Sequence, residues 1–529
     1  MTFTGTWALL RTFVRLDRVR LAVWMGSITL LIWVSAASTM ALFPTQADID
    51  RTAATMEDNS AIIALNAAPY GLRTLGGEVV FGIGSFGHVV MGLMGMFLVG
   101  RHIRGDEEAG RTELLRATAI GRNAPMVAAL ANAVGALAIT GVLITLVMLA
   151  YGLPAGGSVA YGAGMAAFGI LFANATVVAG QVTEHNRAAY GIAGAALGAS
   201  YVIRAVGDIG TGTLSWLSPM GWAQAIKAFA GERWWTLGLL AATAVGLVGV
   251  AAWLMAHRDL GSGLVVPRPG PSGAAPGLVR PWGLAVRLQR AALFWWTVGL
   301  ALTGLSYGAI GKDIRDFIAE NDAMADIIAQ GTGDLTDTFF ATSALTLALV
   351  AGGFTVAAVV RLRSEETSGR AEPLLATALP RSTWAGGHLL MAVAGTVVVL
   401  AGGGLGMGLA YGVSVGDLGE AGPLLAASVA FAPALWVLAG LALALFGLLP
   451  RAATWGAWAA LTLCFVISYF GQLFDLPGWV MDLSPFQHVP QMPAEGFDLV
   501  PTAVLTLAAA LLVAVGLAGL RHRDIATGA

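Results

Sequence analysis

Residues 106–122 read DEEAGRTELLRATAIGR, and residues 365–381 read EETSGRAEPLLATALPR. Each gathers carboxylates and arginines in a chain of which only 11% is charged. Glu107 and Arg111 stand at i and i+4, as do Glu366 and Arg370. That is the order in which the two side chains pair across one helical turn. Leu114 and Leu115, or Leu374 and Leu375, set an apolar patch beside the charges. The pattern predicts a short amphipathic helix in the plane of a membrane surface, its start loosened by Gly110 or Gly369. Anionic headgroups would repel Glu107, Glu113, Glu366 and Glu372. A protein partner with basic grooves suits these cassettes better, so their chemistry is recognition rather than bond-making.

Other chemistries lack their residues. A phosphate loop needs G-x-x-x-x-G-K-[ST], whose backbone amides and lysine cradle the phosphates. The nearest match, SYGAIGKD at 306–313, has Ser306 for the first glycine and Asp313 where a hydroxyl should hold magnesium. GIGSFG at 82–87 spells G-x-G-x-x-G, but no strand precedes it. Gly82–Gly87, Gly194, Gly198 and the GGGLGMG run at 402–408 read instead as small residues that let helices approach closely. The single cysteine, Cys464, excludes an internal disulfide and a cysteine-cluster metal site, and reads as a small core residue. No Ser/His/Asp set, paired acids or histidine cluster gathers at one depth. The chain is expected to carry no cofactor and to bind no nucleic acid.

These cassettes must be positioned by membrane helices. The chain has 529 residues, 57% of them hydrophobic, against roughly 45–50% in soluble proteins. Twelve apolar runs reach the length of roughly 20 residues that a spanning helix needs. They fall at 21–43, 79–100, 124–151, 158–180, 188–206, 235–256, 291–310, 339–360, 384–411, 421–448, 452–471 and 499–520. Helix is the only structure that pairs their peptide groups in lipid. The predicted fold is an all-α integral membrane protein. With both termini inside, the inner segments hold 22 of the 29 lysines and arginines. That is the positive-inside bias, and it predicts a multi-pass protein of the cell membrane. Arg11, Arg15, Arg18 and Arg20 precede the first run, which is too long for a cleavable signal peptide and reads as an anchor.

The chain repeats itself. Residues 104–122 match 363–381 at an offset of 259. VRLDRVRLAVW at 14–24 resembles VRLQRAALFWW at 286–296, and YVIRAVGD at 201–208 resembles FVISYFGQ at 465–472. RAA opens residues 187 and 451, LSP opens 217 and 483, and HRD closes both halves at 257 and 522. Six spans per half make the repeats parallel, related by an axis along the membrane normal. The predicted organisation is a six-helix half at 1–260, a Pro/Gly linker without fixed structure at 261–281, and a second six-helix half at 282–529.

The pattern E-x-x-G-R-x-E-x-L-x-x-T-x-x-x-R between the second and third spans resembles the coupling segment of type-2 ABC exporter permeases. The repeat, the RAVGD end of the fifth span and the LSPMGW after it resemble the fused twelve-span exporters of polyketide antibiotics, the tetronasin-like family. The resemblance covers essentially the whole chain. It implies a transport subunit with no ATPase site of its own, two copies of a separate ABC ATPase that hold ATP and Mg, and a hydrophobic or amphipathic substrate, antibiotic- or drug-like. It assigns ATPase coupling to Glu107, Gly110, Arg111, Glu113 and Leu115, and to Glu366, Gly369, Arg370, Glu372 and Leu374. The second cassette departs from the first at Pro373 and Leu375. The family's cavity-facing second and fifth spans point to Phe81, Phe86, His88, Met91, Met94 and Phe97, and to Trp455, Trp458, Phe465, Tyr469 and Phe470.

The competing reading is a proton-coupled secondary drug transporter with parallel repeats. Ionisable residues inside spans would mark it. Only His88 and Arg204 qualify, Arg204 with Asp208 one turn on as its natural partner, and the lack of a buried acid argues against a proton path. The charge count also makes a topological prediction. A cysteine at position 325 should react with an impermeant thiol reagent in intact cells and one at 272 should not; the reverse labelling would overturn the orientation.

Overall fold

The computed structural model describes residues 3–57, 59–258, 263–264, 270, 272–319, 335–471 and 476–524. No strand occurs among them. We number the main helices α1 (Thr6–Leu42), α2 (Leu75–Gly100), α3 (Ala124–Ala150), α4 (Ala155–Val182), α5 (Asn186–Ile209) and α6 (Trp235–Ala256). The series continues with α7 (Pro281–Ala319), α8 (Leu335–Thr367), α9 (Arg381–Val415), α10 (Ala421–Val429 and Ala432–Leu448), α11 (Ala453–Phe470) and α12 (Leu499–His522). Among the described residues, eleven helices are long and apolar enough to cross a membrane; α11 is apolar but shorter. The protein is an all-α integral membrane protein.

Three elements differ from the sequence reading. α1 starts some fifteen residues early, so Arg11, Arg15, Arg18 and Arg20 belong to the helix rather than preceding it. Arginine is a good helix former. At 37 residues α1 is about 55 Å long, far more than the roughly 30 Å of a hydrocarbon core. Asp17 is thereby carried into a packed helix and buried. Second, the run at 421–448 breaks at Ala430–Phe431. Pro433 cannot donate to the Val429 carbonyl, which interrupts the ladder there. Third, part of the expected linker is structured: Pro276–Val279 forms a 3-10 turn and α7 begins at Pro281. Residues 259–262, 265–269, 271 and 320–334, including position 325, lie outside the described residues.

The chain divides into two compact units, Met1–Gly270 and Pro271–Ala529. Within the first, α1 packs on α3, α2 on α4, and α4 on α6. Within the second, α7 packs on α9, α8 on α10, and α10 on α12. The second and fourth helices of each unit are its most buried spans. Glycines make some of these contacts possible. A Cβ at Gly406 would collide with the Ala301 carbonyl, and one at Gly404 with Ser428 and Leu425. The reading of 402–408 as a close-packing run holds. It fails for Gly198, where a Cβ would meet nothing, and nearly so for Gly194, where only Met96 comes within 3.8 Å. Gly84 is different again: its φ of 46° interrupts α2, and the carbonyl of Asn66 takes hydrogen bonds from the Ser85 amide at 2.7 Å and the Ser85 hydroxyl at 2.6 Å.

Candidate functional site

The first cassette is built from a turn, not from one helix. α2 continues through a π-helical turn at Arg101–Gly105 into Asp106–Glu108. Gly110, at φ 70°, reverses the path, and a six-residue helix Arg111–Arg116 follows. The second cassette repeats the plan: α8 ends at Thr367, Gly369 is at φ 70°, and Ala371–Leu375 forms the short helix. A left-handed φ suits glycine because it has no Cβ to clash. Both glycines fix a sharp turn; neither merely loosens a helix start.

That turn removes the expected i,i+4 pairs. Arg111 reaches Asp106 at 2.7 Å and Arg370 reaches Glu365 at 3.0 Å. Glu107 and Glu366 are instead buried and grip the end of the last helix of their own unit. Glu107 accepts from Arg104 Nη1 at 2.6 Å and lies 3.1 Å from Arg258 Nη2. Both Glu107 and Arg258 have side chains only 7% exposed. Glu366, 1% exposed, receives both guanidinium nitrogens of Arg523, at 2.7 and 2.8 Å. Arg258 also donates to Gln181 on α4 at 2.6 Å, and Arg104 to the Gly180 carbonyl at 2.8 Å. The far end of each cassette grips the same helix. Arg122 donates to the Met255 carbonyl at 2.6 Å, and Arg381 to the Arg523 carbonyl at 2.6 Å. The carboxyl end of a helix has unpaired carbonyls, and arginine satisfies them well.

Most of the repeated pattern thus shapes the cassette. Its first glutamate and last arginine clamp a helix end. Its glycine makes the turn, and its middle arginine pairs backwards. Thr118 and Thr377 donate to the carbonyls of Leu115 and Leu374, at 2.5 and 2.6 Å, as the short helices end. Leu115 packs against the cluster that contains Leu9, Phe13 and Ala124, and Leu374 against the second unit's core. On the short helices, Arg111, Glu113 and Leu114 stand exposed in one cassette, and Arg370, Glu372 and Pro373 stand exposed around the short helix of the other. Leu114 is 74% exposed, a large apolar side chain with no cover on its own unit.

Behind the first cassette lies a polar network that the sequence reading missed. Asp17 of α1 pairs with Arg101 at 2.6 Å, accepts from Asn132 Nδ2 at 3.1 Å, and pairs with His102 Nε2. The other ring nitrogen of His102 faces Asp106 at 3.4 Å, and Asp106 leads on to Arg111. Glu78 is a second buried acid, with an Oε1 that finds no partner. The helices therefore do bury acids, and the argument against a proton path from the lack of a buried acid falls.

The candidate substrate residues split between two environments. Phe81, His88, Met91 and Met94 point into the interior of the first unit. His88 Nδ1 donates to the Gly84 carbonyl at 3.1 Å, and its ring meets Tyr161 and Phe168 edge-on. Phe86 and Phe97 lie on the opposite, exposed face of α2. Trp455, Trp458, Phe465 and Tyr469 share one exposed face of α11; Phe470 ends that helix, and its side chain lies outside the described residues. Arg204 is wholly buried. It pairs with Asp208 at 3.4 Å and donates to the Ile63 and Ala64 carbonyls at 3.0 and 2.7 Å. Nearby, burial pushes the Tyr70 phenol up and holds the Lys227 ammonium below its usual value. The ammonium sits 4.2 Å from the centre of the Tyr70 ring.

The family of this clamped bundle comes from comparison with known proteins. Over 527 residues the chain is 40% identical to the multidrug efflux system permease protein Rv1217c of Mycobacterium tuberculosis (strain ATCC 25618 / H37Rv), covering 99% of this chain and 96% of that protein. The chain belongs to the multidrug efflux permease family. Residues 278–521 also match the family model for the C-terminal domain of multidrug efflux system permease Rv1217c, which corresponds to the second unit.

The clamp predicts a stability effect. Glu107→Ala should destabilise the first unit by about 3–5 kcal/mol, because it takes one buried carboxylate away from both Arg104 and Arg258. Arg258→Ala should cost less, because Glu107 keeps Arg104. The double variant should lose less than the sum. Thermal unfolding in detergent measures this, and melting like the parent by both single variants would show that the clamp contributes nothing.

Proposed function

We propose that this permease is the membrane subunit of an ATP-binding-cassette exporter of the tetronasin-like, polyketide-antibiotic class. It moves a hydrophobic or amphipathic drug-like compound out of the cell. A separate ATPase, in two copies that hold ATP and Mg, docks one copy on each cassette. The cassettes lie on the cytoplasmic side, as do both termini. One observation carries the reading: each unit repeats a cassette held at both ends to its own last helix, with a charged and apolar tip left uncovered. A push on such a tip is delivered to α6 or α12 rather than absorbed by a loose loop. Each half then rocks as a rigid body, and the route turns from inward-open to outward-open.

The sharper test moves from Glu107 and Glu366, which are clamp residues, to Glu113 and Glu372. Glu113→Arg and Glu372→Arg should express and melt like the parent, since both side chains are exposed. A charged contact buried on docking is worth about 2–5 kcal/mol, so reversing it should weaken retention of the ATPase on co-purification about thirty-fold or more and abolish export. Normal ATPase retention and normal export in the double variant would refute the coupling role. Buried Asp17 and His102 keep the proton-coupled alternative in view. Export that survives Glu113→Arg with Glu372→Arg, but stops when a protonophore is added, would establish it.

A further inference from the structure

The first unit carries a cleft of about 620 Å3 at its cassette end, between α1, α2, the start of α5 and the cassette itself. That volume is within the range of small-molecule sites. Its carboxylates are engaged below the surface: Asp17 with Arg101, His102 and Asn132, and Asp106 with Arg111 and His102. Its guanidiniums lie above them. Arg20 and Arg111 are 58% and 61% exposed, and Arg101 31%. A visitor therefore meets a cationic face. The other wall is aromatic. Trp24 stacks on Phe97 with ring centres 6.3 Å apart, and Phe97 meets Tyr190 edge-on at 5.2 Å. At the rim, the buried Oδ1 of Asn186 has no hydrogen-bond partner and can accept from a hydroxyl.

The repeat shows that helix packing alone does not demand these charges. At the matching positions of the second unit, Arg20 is replaced by Ala292 and Arg101 by Val360, and Val360 packs into that unit's core. Trp24 is matched by Trp296. Phe97 is matched by Val356 and Tyr190 by Thr454, so of the cleft's aromatic and cationic residues only Trp24 and Arg111, the latter as Arg370, recur in the second half.

We propose that this cleft binds an amphipathic anion, a phosphate- or carboxylate-headed chain whose head is held by Arg20, Arg101 and Arg111 and whose apolar body lies along Trp24, Phe97 and Tyr190. Basic pockets between membrane helices hold headgroups in this way. The ligand can reach the cleft as a phospholipid of the surrounding leaflet or as a free amphipathic acid.

Native mass spectrometry of the full chain in detergent tests this, with separate titrations of dioleoylphosphatidylglycerol, dioleoylphosphatidylcholine and oleate. An anion should be retained at least about five-fold more strongly than the phosphatidylcholine, the factor that one basic residue near a headgroup contributes. Arg20→Gln should erase about five-fold of that preference, and Arg20→Lys should restore most of it. Trp24→Ala should weaken both anions while leaving the preference intact. Retention of phosphatidylglycerol alone identifies a lipid headgroup as the ligand; retention of oleate as well identifies any anionic chain. Equal retention of phosphatidylcholine, a preference unchanged in Arg20→Gln and in Arg101→Gln, or affinities unchanged in Trp24→Ala, would overturn the proposal.

Discussion

A buried carboxylate cannot stand alone in an apolar bundle, and Glu107 and Glu366 are buried. Each is therefore bound to find cations, and each finds the arginine just past the last helix of its own unit. Removing a charge from water costs several kcal/mol, recovered only with good geometry and further hydrogen bonds. The bidentate contact from Arg523 supplies that geometry in the second unit, as do Arg104 and Gln181 around Arg258 in the first. Much else about the cassettes follows. The chain must turn sharply after the glutamate, which calls for Gly110 and Gly369. The middle arginine is left to pair with the preceding acid. The short helix is turned outward, with its second acid exposed.

The two units share this clamp and differ behind it. In the first, the line Arg111–Asp106–His102–Asp17 runs from the cassette into α1. In the second, Arg361 stands in place of His102 and pairs with Glu365, which Arg370 also contacts. The position of Asp17 is taken by Gln289, which instead meets His388 at 3.0 Å. One cassette is thus backed by a network of three helices, and the other by a ladder of arginines and one glutamate. The asymmetry is larger than the Pro373 and Leu375 substitutions by themselves imply.

The membrane helices were legible because long apolar runs have only one way to pair their backbones. The cassettes were legible because charge is scarce and the pattern recurs. Their pairing was not. A helix template puts Glu107 beside Arg111, but one left-handed glycine between them shifts the register to Asp106. Likewise, the HRD motif was visible as a repeat, yet its arginines act 151 and 157 residues away from their glutamates, a separation that no local rule reaches. Asp17 stands among the arginines before the first apolar run, and nothing local marks it. Its partners lie 85 and 115 residues on, and only the extension of α1 buries it. The substrate candidates show the same gap: spacing placed Phe81 and Phe86 on one span, while packing put them on opposite faces.

Site-specific photo-crosslinking reads the central claim, that the uncovered cassette tips seat the ATPase, most directly. Benzoylphenylalanine would be placed at Leu114 or Pro373 in cells that express the permease together with the proposed ATPase. The account predicts a crosslink to the ATPase from each position, and none from benzoylphenylalanine at Trp455 on the exposed face of α11. Crosslinks from Leu114 and Pro373 to lipid alone, with the ATPase present and export active, would contradict it.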